Sequence, residues 1–203
     1  MLEILSKGGI LVIPIVFCSV LVFGIFFERI IRYAINRSRG KDIENKVATL
    51  MAAGDTTAAL ALSQQSNSPM GRVLTKAIKA KDLKSRILES VIVNAVETEV
   101  RELSAYLQAL ATIGNIAPLL GLLGTIIGMI KAFMVIQQMG GKVNAAVLAG
   151  GIWEAMLTTA LGLVVALPTM VAHSYLLAKV EKYEARLQDG SVAFLKAIAK
   201  RAD

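Results

Sequence analysis

Three long runs of uncharged, mostly apolar residues constrain this chain more than any other feature. They are residues 8–27 (20 residues), 103–130 (28 residues) and 155–178 (24 residues). At about 1.5 Å per residue in a helix, each run reaches or exceeds the roughly 30 Å of a bilayer's hydrocarbon core. Helices and closed barrels alone satisfy every backbone polar group in lipid. We therefore expect an all-α integral membrane protein with three transmembrane helices.

The charged residues lie in a few blocks between these runs. The 203-residue chain is 55% hydrophobic and only 18% charged, with a formal net charge of +7. A basic chain can bind nucleic acid, but here the basic residues flank the apolar runs, and aromatic residues make up only 5%. Base-stacking surfaces are therefore not expected. The composition indicates a lipid bilayer, and no nucleic acid, as the partner.

The first apolar run resembles a signal peptide in position but differs from one at both ends. Glu3 precedes it together with Lys7, and no small-residue cleavage site follows. The run ends instead in a charged cluster, Glu28-Arg29-Ile30-Ile31-Arg32. Such a cluster resists translocation, so we expect the run to remain as a membrane anchor.

The distribution of basic residues predicts the orientation. Residues 28–110 carry 13 Lys and Arg and residues 179–203 carry six, whereas residues 1–9 and 137–144 carry one each. By the positive-inside rule, the N-terminus lies outside and the C-terminus lies in the cytoplasm. The expected segments are an outer N-terminus with transmembrane helix 1 (1–28), a cytoplasmic helical region (29–110), transmembrane helix 2 (111–137), an outer loop (138–147), transmembrane helix 3 (148–178) and a cytoplasmic tail helix (179–203).

The cytoplasmic segments read as helices with clear turn residues. Residues 41–66 predict two short helices broken at Gly54-Asp55, with Asp55 capping the second. A turn follows at 66–69, and no Gly or Pro separates Leu83 from Ile113. We therefore expect one long helix from 83 into the second span, and a third span that continues into the tail. Two of the three spans would thus extend into a cytoplasmic helical bundle, which buries little alone and predicts a homo-oligomer.

The second span carries glycines at helical spacing. Gly121, Gly124 and Gly128 share one helix face, and small residues let helices approach closely in lipid. Thr125 lies on or beside that face, where its hydroxyl would bond its own backbone or be shared with whatever the face lines. Pro118 removes one backbone hydrogen bond and is expected to bend the helix.

The third span carries the one carboxylate within either of these two spans. Burying the charged side chain of Glu154 in lipid costs at least about 2.5 kcal/mol, so such a group faces water, a partner charge or a proton path. An interfacial position near the outer mouth is the alternative. Thr158 lies one turn further on, and Thr159 shares a face with Gly162. The two threonines predict either a hydroxyl-lined path or a tight helix contact.

These two motifs together resemble a known family. Residues 121–125 (GLLGT) and 154–163 (EAMLTTALGL), with Pro168 after them, are similar to the paired signatures of the ExbB/TolQ/MotA proton-channel family. Three spans, an outer N-terminus and one large cytoplasmic loop also match. The resemblance implies a subunit of a proton-motive-force-driven motor in the bacterial inner membrane, with a periplasmic N-terminus.

The resemblance also implies partners and site residues. It implies a homopentamer around two copies of a single-span ExbD/TolR-type partner, which supplies a proton-carrying membrane aspartate, and coupling to a TonB- or TolA-like energy transducer. By position, Thr125 and Thr159 match the pore-facing threonines, and Glu154 matches the span-three glutamate; Thr158 is expected beside them on the proton path. No cofactor, metal or enzymatic activity is implied.

The chain departs from the ExbB and TolQ pattern at two positions. Ile127 stands where tryptophan is common, and Lys131 where Asn or His is common. Lys131 would either extend to the outer interface or pair with Glu154. His173, the only histidine, is too little for a metal site.

Three other functions are alternatives to the motor. A membrane enzyme would need a nucleophile and base, or two carboxylates, at matched depth, and the spans offer neither. A purely structural scaffold explains the glycines but not Glu154 with its threonines. A flagellar or gliding stator is the third alternative, and the absence of the larger cytoplasmic insert of flagellar stators disfavours the flagellar type.

Overall fold

The chain is all-α, as the apolar runs predict. The computed structural model describes residues 10–39, 42–138 and 145–202, and these contain seven helices and no strand. The helices are α1 (Val12–Arg39), α2 (Ile43–Ala52), α3 (Thr56–Gln65), α4 (Pro69–Lys79), α5 (Ser85–Leu103), α6 (Leu107–Gln138) and α7 (Ala145–Ala202). The predicted outer loop falls mainly on residues 139–144, which lie outside the described residues.

Three of these helices are long and apolar enough to cross a membrane. The candidate spans are Val12–Asn36 in α1, Leu107–Gln138, which is all of α6, and Leu148–Lys200 in α7. The expectation of three transmembrane helices is thereby confirmed. The third span also continues into the tail without interruption, because α7 runs through Gly190 to Ala202.

The chain divides into two compact units. One, which we name the spanning unit, comprises Met1–Phe27 and Tyr106–Tyr175, and the other, the bundle unit, comprises Glu28–Ala105 and Leu176–Asp203. The bundle unit has its own hydrophobic core, formed by α2 to α5 and the C-terminal part of α7. Its most deeply buried side chains include Val47, Met51, Val73, Leu74, Leu187 and Phe194.

The short helices of the bundle unit begin where the sequence predicts. Gly54 has a φ of 87°, and the Asp55 carboxylate accepts a 2.9 Å hydrogen bond from the backbone N–H of Ala58 at the start of α3. Ser68 caps α4 in the same way, through a 3.1 Å bond from Gly71 N, with Pro69 at the first helical position. Both predicted turns are therefore confirmed.

The expectation of one continuous helix from 83 into the second span is wrong. α5 ends at Leu103 and α6 begins at Leu107, and between them Tyr106 has a φ of 64°. Neither Gly nor Pro marks this break. The backbone carbonyls that the break frees are bound by side chains of α1: Arg29 Nη1 lies 3.1 Å from Glu102 O, and Tyr33 Oη lies 2.7 Å from Leu103 O.

Candidate functional site

A seam of small residues joins α6 to α7 in the spanning unit. A Cβ atom built on Gly121 would lie 3.0 Å from Thr159 Cα, and one on Gly128 would lie 2.9 Å from Ala155 Cβ. A Cβ on Gly124 would collide with the Thr158 side chain. Gly121, Gly124 and Gly128 therefore lie on the face of α6 that packs closely against α7, as small residues allow.

Glycines of α7 also contribute to the seam, and the seam includes small residues that the sequence analysis did not single out. A Cβ on Gly162 would lie 2.6 Å from Ala117 O, and one on Gly151 would lie 2.6 Å from Ala132 Cβ. Sequence reasoning missed Gly151, Ala117 and Ala132. The signal was present, because small residues recur every three or four positions along α6, at 114, 117, 121, 124, 128 and 132.

The two prolines of the sequence motifs lie inside the long helices. Pro118 is within α6 and Pro168 is within α7, and each helix continues through its proline. A proline cannot donate the backbone hydrogen bond to the carbonyl four residues earlier, so each of these helices has one fewer internal bond in its membrane segment.

The two threonines of the third span make different contacts. Thr159 is partly buried, and its hydroxyl donates a 2.9 Å hydrogen bond across the seam to Gly121 O. Thr158 is fully buried, and its hydroxyl donates a 2.8 Å bond to Glu154 O in its own helix. Thr158 therefore fills the space beside Gly124, while Thr159 links α7 to α6.

Thr125 lies to one side of this contact. It follows Gly124 by one residue, which rotates it by about 100° around α6, away from the seam. Its hydroxyl donates a 2.6 Å bond to Leu122 O, and the residue is partly exposed. The sequence left open whether this hydroxyl bonds to its own backbone or to another group, and the structure shows a bond to its own backbone.

Glu154 forms an ion pair between the spans. Its Oε1 lies 3.1 Å from Nζ of Lys131, with the two side chains 30% and 55% exposed, respectively. The pair borders a cavity of about 10 Å³ lined by Ile10, Leu11, Gly124, Ile127, Lys131, Glu154 and Thr158. Sequence reasoning left two positions open for Lys131, and the structure has the one that pairs with Glu154.

One further residue that the sequence singled out is the histidine of the third span. His173 is partly buried on α7. Across the described residues, no group of three or more His, Cys, Asp or Glu side chains could hold a metal ion.

Comparison with known proteins gives a family match over most of the site. Residues 65–189 match the MotA/TolQ/ExbB proton channel family, a range that includes the glycine seam, all three site threonines and the ion pair.

Individual relatives agree with that match. The protein named ExbB-like 3 in Synechocystis sp. is 30% identical over 166 residues, covering 81% of this chain and 79% of the relative. The biopolymer transport protein ExbB of Salmonella typhimurium is 28% identical over 186 residues, covering 87% of this chain and 75% of the relative. The ExbB of Pseudomonas putida is 39% identical over 103 residues, covering 51% and 31%.

Proposed function

The chain belongs to the MotA/TolQ/ExbB proton channel family, and from this premise we propose that it lines the proton path of a motor driven by the proton motive force. The family is one of membrane channel subunits in energy-transducing systems rather than of enzymes. The proposal goes further than family membership because it assigns the path to named side chains of this chain.

The observation that carries the proposal is the line of polar groups along the contact of α6 with α7. Lys131 and Glu154 form an ion pair at 3.1 Å, and Thr158 and Thr159 follow Glu154 by one turn. A carboxylate inside apolar helices is expensive unless it is paired or meets water, and such groups mark proton pathways. We infer that Glu154, Thr158 and Thr159 border a hydrated path along this contact, and that Thr125 borders it from a face of α6 turned about 100° from the seam.

The proton-carrying group must come from another chain in this proposal. Between residues 103 and 178 the only carboxylate is Glu154, and the 8–27 run has none. A single-span partner of the ExbD/TolR type would contribute a membrane aspartate, enclosed by a homopentamer of this chain. Each proton moved through 100 mV releases about 2.3 kcal/mol, so several are needed for one mechanical step.

The membrane arrangement follows from the charge distribution. We propose a bacterial inner-membrane location with the N-terminus in the periplasm and the C-terminus in the cytoplasm. The proposed segments are the outer N-terminus with transmembrane helix 1 (1–28), a cytoplasmic helical region (29–110), transmembrane helix 2 (111–137), an outer loop (138–147), transmembrane helix 3 (148–178) and a cytoplasmic tail helix (179–203). A TonB- or TolA-like transducer would receive the mechanical work in the envelope.

The proposal is tested by proton uptake into vesicles that contain the chain with and without its single-span partner. Partner-dependent uptake should be lost in Thr159→Val and in Glu154→Ala. Lys196→Gln, which removes one exposed charge from the bundle unit, is the control and should conduct normally. If both site variants conduct like the unaltered chain, these site assignments fail. If the unaltered chain conducts nothing with its partner, a structural scaffold becomes the better description.

A further inference from the structure

The Lys131–Glu154 pair carries an inference about ion selectivity that rests on the proposed function. The Lys131 ammonium group lies 3.1 Å from a carboxylate oxygen of Glu154, so it stands where a metal cation would bind that carboxylate. Rings of carboxylates admit cations in channels. A carboxylate already paired with an ammonium is therefore a poor binding site for a mobile cation.

The pair lies well inside the long helices. At 1.5 Å per residue, Lys131 is about 10 Å before the end of α6 at Gln138, and Glu154 is about 14 Å after the start of α7 at Ala145. A charged group at such a position keeps its charge only with a partner or water. Removal of one partner would leave the other as an unpaired charge that binds a mobile counterion.

A small, partly open space adjoins the pair. The adjoining cavity of about 10 Å³ is near the lower limit for a single water molecule, it is open on one side, and Gly124, Ile127 and Thr158 are among the residues that line it. A sodium or potassium ion needs several waters or oxygen ligands, and the carboxylate of Glu154 is already paired with Lys131. A proton needs only one water or hydroxyl to move onward.

We propose that the Lys131 ammonium group occupies the cation position at Glu154 and makes the path selective for protons over sodium and potassium ions. Lys131 is thus the residue that determines the ion specificity of the path. It predicts that selectivity is a property of this side chain's charge rather than of the width of the path alone.

The test measures radioactive sodium uptake and dye-reported proton uptake in the same vesicles, which contain the chain and its single-span partner. The unaltered chain should take up protons and no sodium above background. Lys131→Gln should gain sodium uptake, and Lys131→Arg, which keeps the positive charge, should not. Lys196→Gln is the control for loss of one lysine charge and should behave as the unaltered chain does.

A second measurement needs no partner and no transport. The chain alone, in detergent micelles, is titrated with sodium chloride while the width of the sodium nuclear resonance is followed. Lys131→Gln should broaden that resonance beyond the unaltered chain, and adding Glu154→Gln should remove the broadening. Helical circular dichroism of each variant verifies folding.

The two proposals fail in different ways. Absent proton uptake in the unaltered chain contradicts the proposed function, whatever happens with sodium. Normal proton uptake, with Lys131→Gln remaining impermeable to sodium and causing no broadening, overturns the selectivity proposal and leaves the proton path intact. Should Lys131→Gln fail to fold, the exchanged pair Lys131→Glu with Glu154→Lys restores both charges. That double variant should again exclude sodium, and sodium uptake by it would contradict the proposal.

Discussion

The hydroxyl of Tyr33 donates a 2.7 Å hydrogen bond to the backbone carbonyl of Leu103, and both residues are buried. Arg29, one turn earlier on α1, donates from Nη1 to the carbonyls of Glu102 and Leu103. The last carbonyls of a helix have no partner within it, and a positive charge favours that end of the helix dipole. Two α1 side chains thus stabilise the end of α5.

We expect Tyr33→Phe to loosen the end of α5. The variant keeps the ring but loses one buried hydrogen bond, which lowers the free energy of unfolding by about 1 kcal/mol. Amide hydrogen exchange should quicken in the last turn of α5. In Tyr183→Phe, which loses a 3.0 Å bond to Tyr33 O instead, that last turn should exchange as before. Equal exchange of the α5 end in both variants would contradict this account.

The glycine seam predicts different effects on stability for two glycine-to-alanine changes in α7. A Cβ on Gly162 would lie 2.6 Å from the backbone oxygen of Ala117, so Gly162→Ala must push α6 and α7 apart. We expect a loss of about 1–3 kcal/mol in stability against denaturant in micelles. A Cβ on Gly150 meets nothing within 4 Å, so Gly150→Ala should be neutral, or stabilising by up to about 1 kcal/mol. A tolerated Gly162→Ala would show that the helices are not in contact there.

The hydrogen bond from Thr159 to Gly121 O predicts a difference between two substitutions at one position. Thr159→Val keeps the shape but loses the hydroxyl, and bonds of this kind between membrane helices contribute about 0.6 kcal/mol on average and up to about 1.7. Thr159→Ser keeps the hydroxyl and should retain most of that stability. Unfolding in mixed micelles measures both. A valine variant as stable as the unaltered chain, with a destabilised serine variant, would show that the methyl group and not the hydroxyl carries this stability.

The pair of Arg72 with Glu99 should stabilise the bundle unit. Arg72 donates from both Nε and Nη2 to the buried carboxylate of Glu99, with the Nε to Oε1 distance 2.8 Å. Arg72→Met would leave that carboxylate buried without its hydrogen bonds. Because Arg72 is partly exposed, we expect a loss of about 2 kcal/mol, less than for a fully buried pair. Denaturant titration measures it, and Arg86→Met, which alters an exposed arginine on α5, should change nothing.

The same pair predicts little pH dependence near neutrality. Hydrogen bonding to Glu99 raises the pKa of Arg72 above its ordinary value, although burial opposes this. A raised pKa of a basic group adds stability that is present below the ordinary pKa and is lost only as the pH rises through the folded-state pKa. The stability that Arg72 contributes by its own ionisation should therefore be equal at pH 6 and pH 8. A change between these values would point to a different titrating group.

Local chemistry explains which elements could be predicted. The three apolar runs had to become helices in lipid, and the turns at Asp55 and at 66–69 carry residues that cap helices by themselves. The break between α5 and α6 has no such mark, since Ser104, Ala105 and Tyr106 are compatible with a helix. The hydrogen bonds that Arg29 and Tyr33 donate there come from about 70 residues earlier in the chain, so no local pattern could reveal them.

The candidate site divides in the same way. The sequence by itself determined that Glu154 stands among apolar residues, that small residues line one face of the second span, and that the chain needs a membrane. Only the tertiary structure decided that Lys131 meets Glu154 and that Thr159 bonds to Gly121 while Thr158 bonds to its own helix. The reason is register: close packing of the small residues of α6 against α7 sets which side chains lie opposite each other.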